Sequence, residues 1–218
     1  MHGTPPELRP AAFAIVHEQM SRLQDSGLTE AASEIVIGIN GPPSESEDYA
    51  RLLCPAKARL VFHGPDSFSE NLTLVEIEKW APSHPDWNVL YLHAKGCTHV
   101  LGSDYLKMSS RWRNCMMEEL VYHWKRCLQD LDSGIEAVGC HWLTGQGWDH
   151  SQHYFAGNCW WARSSFLATL PSIYKRARIT ESGIGHPDSR YEAEVWIGNG
   201  SRPPIVRDYA HHGLMQCP

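Results

Sequence analysis

Several common signatures are missing from this chain of 218 residues. No apolar run approaches the roughly 18 to 20 residues that a membrane-spanning helix needs. The N-terminus, MHGTPPELRP, lacks the charged-then-apolar pattern of an export signal. The seven cysteines include no CxxC pair and are odd in number. Without an export signal, they read as reduced thiols of a cytoplasmic protein, not a disulfide framework. The Asn71-Leu72-Thr73 sequon is discounted for the same reason. Basic residues are the minority, 19 against 25 acidic, for a formal charge of -6. That balance argues against nonspecific binding to nucleic acid or anionic membranes, which need a cationic surface. There is no GxxxxGK[ST], no GxGxxG after the first expected strand and no GxSxG. P-loop, dinucleotide-binding and serine-hydrolase chemistries lose their usual support.

Repeats and low-complexity linkers are absent too, so the expected organisation is simple: a tail over 1–10, one domain over 11–213 and a tail over 214–218. The 42% hydrophobic content is ordinary for a globule. Residues 11–26 have helical periodicity, with Phe13, Val16, Met20 and Leu23 on one face and Gly27 as the stop. EIVIGIN (34–40), KARLVFH (57–63) and NVLYLH (88–93) read as strands, ESEDYARLL (45–53) and ENLTLVEIEKWA (70–81) as helices. A long helix is expected over 104–132, with Asp104 near its N-cap and Gly134 past its end. IEAVGC (135–140) and HYFAGNCWWA (153–162) follow as strands. Strand alternating with helix predicts a three-layer α/β sandwich with a mostly parallel sheet.

In open α/β sheets, ligands bind beyond the carboxyl ends of the strands. Four expected strand ends carry polar or flexible residues: Asn40-Gly41, His63-Gly64, His93 through Gly96, and Gly157-Asn158. The third is the most pointed, delivering His93 and the compact cation Lys95 beside Gly96.

LYLHAKG, WRNCMMEEL, AVGCHW, HYFAGNCWWARSSFLATLP and RYEAEVWIG, in that order, resemble a family of small glycosyltransferase-like proteins with the nucleotide-sugar-binding GT-A fold. The family's usual strings are similar to YLHTKG and HFSGNFWWA, and the resemblance covers roughly residues 12–213. It implies transfer of a sugar from a nucleotide-diphosphate donor to a hydroxyl acceptor. Most GT-A enzymes carry two metal-binding aspartates where this chain has His93 and Lys95. The expectation is that Lys95, with His93, stabilises the departing diphosphate, so no metal is obligatory, although a divalent Mn or Mg ion remains compatible. Gly157 would bring the backbone close to the sugar, and Asn158 would bond its hydroxyls. One of Trp160 and Trp161 would face the cleft, because side chains alternate along a strand. Glu194, or Glu192, would serve as the base that deprotonates the acceptor. Asn40 joins the nucleotide-sugar set at its strand end, and His211 or His212 would close over the donor. Arg111 and Arg113 are secondary phosphate candidates.

Two other readings compete. Cys140, His141, His150, His153 and Cys159 are candidate zinc ligands, but no second tight pair completes the His150–His153 spacing. A GT-A-shaped binding or scaffold protein without activity is the other. The prolines before residue 11 are unsuited to the central strand that opens a GT-A domain, so a first strand is expected to be missing. That would leave a sheet edge for a protein partner or a second copy to cover.

Overall fold

The computed structural model describes residues 9–40, 55–63, 70–97, 99–100, 102–145, 153–176 and 189–209. The first amphipathic pattern becomes α1 (Arg9–Asp25), which buries Ala11, Ala12 and Ile15 and ends before Gly27, in a left-handed conformation at φ 73°. A single turn, α2 (Leu28–Ala31), follows. Strands β1 (Val36–Asn40) and β2 (Arg59–His63) pair in parallel, Val36 opposite Arg59. The helix expected at 45–53 lies outside the described residues. Next come α3 (Asn71–Trp80), β3 (Asn88–Tyr91), α4 (Asp104–Met117) and α5 (Trp124–Asp132). Beyond them lie β4 (Ala137–Gly139), β5 (Trp142–Thr144), β6 (His153–Phe155) and β7 (Trp160–Arg163). The described chain closes with α6 (Ser164–Leu167), α7 (Ile173–Arg176), α8 (Ser189–Val195) and β8 (Val206–Asp208).

The main sheet has the order β3-β7-β4-β8. Its strands alternate side chains between two separate cores, as a period of two demands. Tyr91, Ala137, Trp160 and Ala162 join one core with residues of α3, α6, α7 and α8. Leu90, Val138 and Trp161 join the other with residues of α2, α4 and α5. Helices therefore cover both faces, and the protein is of the mixed α/β class. Covered faces explain why the strands carry continuous apolar runs instead of alternation.

The sheets are less parallel than expected. Among the described residues β3 with β7, β4 with β7, and β5 with β6 are antiparallel, against two parallel pairings, β1 with β2 and β4 with β8. The cause lies at 153–162, which is two strands and not one. Gly157 and Asn158 both take positive φ, 91° and 49°, and turn the chain between β6 and β7. The long helix is also interrupted. Ser103 caps its start, accepting from Leu106 N at 3.2 Å, with Asp104 next to the cap as expected. A wide π-type turn, Glu118–Tyr122, then separates α4 from α5, and the Leu120 carbonyl accepts from the Trp161 indole at 2.8 Å. Gly134, at φ 106°, lies just past the end of α5 as expected.

Candidate functional site

The segment after β3 leaves the sheet earlier than the sequence suggests, since β3 stops at Tyr91 and His93 lies beyond it. Its course is set by bonds from three directions. Gln19 Nε2 of α1 donates to the His93 carbonyl at 2.9 Å. Arg113 of α4 donates from Nη1 to the Lys95 carbonyl at 2.9 Å, while its Nη2 pairs with Glu18 of α1 at 2.7 Å. Gly96, at φ 96°, packs so closely on α4 that a Cβ there would stand 3.0 Å from Ser109 Cβ.

His93 is fully engaged. Its Nε2 lies 2.7 Å from the Gly157 carbonyl and its Nδ1 3.2 Å from Glu70 Oε2. Tyr91 donates to the same Glu70 oxygen at 2.7 Å, and burial, with the Glu70 charge, pushes the Tyr91 phenol well above its ordinary range. His93 thus holds two loops together while also lining a cavity.

Lys95 is different. Its Nζ stands 4.4 Å from the centre of the Trp112 ring, and among the described residues no carboxylate lies within ion-pair distance of it. A cation over an indole face is held without being neutralised.

Gly157 is clamped on both sides. Its carbonyl faces His93, and its N–H donates to Glu194 Oε1 of α8 at 2.9 Å. A Cβ on Gly157 would meet Met116 Sδ at 2.9 Å. The space beside this glycine is filled by protein, so it does not bring backbone to a sugar. Asn158 is 1% exposed, and its Oδ1 accepts from Trp160 Nε1 at 2.9 Å. That bond fixes the amide's orientation, because an indole N–H can only donate. Asn158 Nδ2 is left buried without a protein partner.

Trp160 is 0% exposed in the first core, the inward-facing member of the expected pair. Trp161 is 5% exposed and belongs to the second. They do alternate, but both faces of the sheet are covered. Glu192 is bound by Arg176, Nη2 to Oε2 at 2.8 Å, which ties α8 to α7 and leaves it structural. Arg113 is likewise spent on Glu18 and Lys95, and Arg111 is exposed on α4. His211, His212 and His150 lie outside the described residues, as does the side chain of Asn40. Among the described residues no three His, Cys, Asp or Glu side chains converge as metal ligands.

Lys95, Gly96, Asn158, Trp161 and Glu194 line one cavity of about 1300 Å³, together with His93 and Glu70. Gln19, which carries no motif, also reaches it, as does Tyr191 of RYEAEVWIG, to which the sequence assigns no role. Only the position of Glu70 at the start of α3 hinted at a role. Cys159, beneath this corner, is pushed up to about 12 by burial and is an inert thiol.

A family described as "Domain of unknown function (DUF8361)" matches residues 4–205, so the chain belongs to that family. No curated protein and no solved structure matches it.

Proposed function

We propose that this member of the DUF8361 family is a glycosyltransferase, moving a sugar from a nucleotide-diphosphate donor to a hydroxyl acceptor. The observation that carries the reading is the amide of Asn158, a residue of the cavity lining whose Nδ2 is buried without a protein partner. An unmet buried donor costs about 1–3 kcal/mol, a cost that a ligand oxygen removes. A sugar hydroxyl is such an oxygen. Lys95 and Glu194 on the same cavity wall supply the other two requirements of the chemistry. As the bond from the anomeric carbon to the diphosphate breaks, negative charge grows on the leaving oxygen. A lysine at about 4 Å contributes on the order of 4 kcal/mol at an effective dielectric near 20. Glu194 takes the acceptor's proton as its oxygen attacks that carbon, with Oε1 steadied by the Gly157 N–H. The covering of both sheet faces by helices is compatible with the three-layer GT-A-like fold that the resemblance implies.

The test is thermal unfolding of the purified protein with UDP, GDP and ADP and with their sugar conjugates. A ligand at 100 times its Kd stabilises by about 2.7 kcal/mol. One nucleotide series is expected to raise Tm, the rise disappearing in Lys95→Met. Asn158→Asp keeps the shape but removes the donor, so it is expected to erase the preference for the sugar conjugate over the free nucleotide. If none of the ligands shifts the wild-type protein, the reading is wrong.

A binding protein without turnover is the second reading. It is favoured by the number of motif residues spent on holding the fold: His93, Gly157, Glu192 and Arg113. It predicts stabilisation by the sugar conjugate with no transfer to any acceptor or to water.

A further inference from the structure

The cavity extends well beyond its polar corner, and the spacing of the residues facing it reveals its shape. Above, α1 presents Ala12, Val16, Gln19 and Leu23, one helical stripe. Below, α3 presents Thr73, Glu76, Ile77 and Trp80, another. β2 offers alternate residues, Arg59, Val61 and His63, as a strand seen from its face does. β1 and β3 behave differently, since the consecutive residues 33–39 and 86–92 all line the void. Consecutive residues meet a cavity only along a strand's edge. The void is therefore a slot with a helix above, a helix below and a strand edge on each side.

Those edges are unpaired. Among the described residues β1 bonds to β2 alone and β3 to β7 alone. The bond from Arg59 N to Ile35 O, 2.9 Å, sets the phase of the parallel ladder. Ile35, Ile37 and Ile39 turn their backbone groups to β2, which leaves those of Val36 and Gly38 facing the slot. The slot is partly open, with Val36 39% exposed, so these backbone groups take either water or another strand as partner. A hydrocarbon chain would fill the volume and leave them unmet.

We propose that this slot takes an extended segment of another polypeptide, added as a strand between β1 and β3 and joining the two sheets. β1 has five residues and β3 four, so about five residues of the guest are held on both sides. The lining selects its composition. Two pairs of opposite charge lie along the slot, Glu34 with Arg59 at 3.2 Å and Glu76 with Lys79 at 3.4 Å, and Asp86 adds a carboxylate. The lining is mainly apolar, from Val16, Leu23, Val61, Ile77 and Trp80, with Gln19, His63 and Thr73 among it, so the guest is a largely apolar, β-branched stretch. The inference holds whether or not Lys95 and Glu194 serve a transfer reaction.

The experiment is hydrogen exchange on the full chain, with and without a short synthetic peptide that has a Val-Ile-Val-Thr-Val centre and lysines at both ends. Binding is expected to slow exchange at Val36, Gly38 and the residues of β3. The Val36→Pro variant removes one slot-facing N–H while sparing the ladder to β2. It is expected to melt like the wild type and to bind the peptide about tenfold more weakly. Equal protection by dodecyl maltoside, or by a peptide with proline at alternate central positions, overturns the inference. So does full binding by Val36→Pro. Protection of these amides in the free protein overturns it too, assigning the slot to a second copy if the chain elutes as a dimer and to its own chain if it elutes as a monomer.

Discussion

The imidazole of His93 bonds the Gly157 carbonyl across 2.7 Å, locking the exit of β3 to the turn before β7. Sixty-four positions separate them in the chain. Glu194 holds the N–H of the same glycine from α8, so three distant segments meet at one residue. Asn158, whose amide is fixed by the Trp160 indole, follows directly in the chain.

Gly157 is accordingly intolerant of a side chain. Alanine there adopts φ 91° at a cost of about 1–2 kcal/mol and drives its Cβ towards Met116 Sδ, adding about 1–3 kcal/mol of overpacking. Urea unfolding of Gly157→Ala is expected to show that loss, with part of it recovered when Met116→Val is added.

The two glutamates of RYEAEVW separate cleanly by experiment. Glu194→Gln is expected to lower turnover by about 100- to 10,000-fold, the usual worth of a positioned base, with little change in donor affinity. Glu192→Gln breaks a half-exposed pair with Arg176 and should cost only about 0.2–1 kcal/mol of stability with turnover intact. Equal rates in wild type and Glu194→Gln would remove the base assignment.

Lys95→Met removes the cation over Trp112 and keeps its bulk. Calorimetric affinity for the stabilising nucleoside diphosphate is expected to fall about 10- to 100-fold, the worth of a charge-assisted bond. The proposed transfer by the wild-type protein is expected to survive EDTA. Complete loss, with recovery on adding manganese, would transfer the diphosphate's charge compensation from Lys95 to a metal.

Glu136 supplies an acid-sensitive joint. The bond from Arg202 foremost, with the Ile205 N–H, holds its carboxyl below the ordinary carboxylate value. A depressed folded-state value means stability that is fully present above the unfolded value near 4.5 and lost as pH falls through the folded one. Chemical denaturation between pH 6 and pH 3 should therefore show a shallower decline for Glu136→Gln than for wild type, with no difference in slope near neutrality.

Burial pushes the thiols of Cys127 and Cys159 up to about 12. Iodoacetamide at pH 8 is expected to leave both unlabelled in the folded protein and to label both in urea, as read by peptide mass spectrometry. Labelling of either without denaturant would reveal an opening of the core.

Local pattern made much of this molecule legible. The periodicity of 11–26, the β-branched run before Asn40 and the glycines at 27 and 134 act through neighbours in the chain, and the elements form where those neighbours put them. The pairing of strands and the partners of polar groups are long-range matters. Two left-handed residues reversed HYFAGNCWWA into two strands, and helices on both faces buried Trp160 with Trp161. Partners far off in the chain occupied His93, Glu192 and Arg113 while leaving Lys95 over an indole and Asn158 with an unmet N–H. A residue's chemistry is written in its own side chain, but whether that side chain is free to act depends on what folding brings against it.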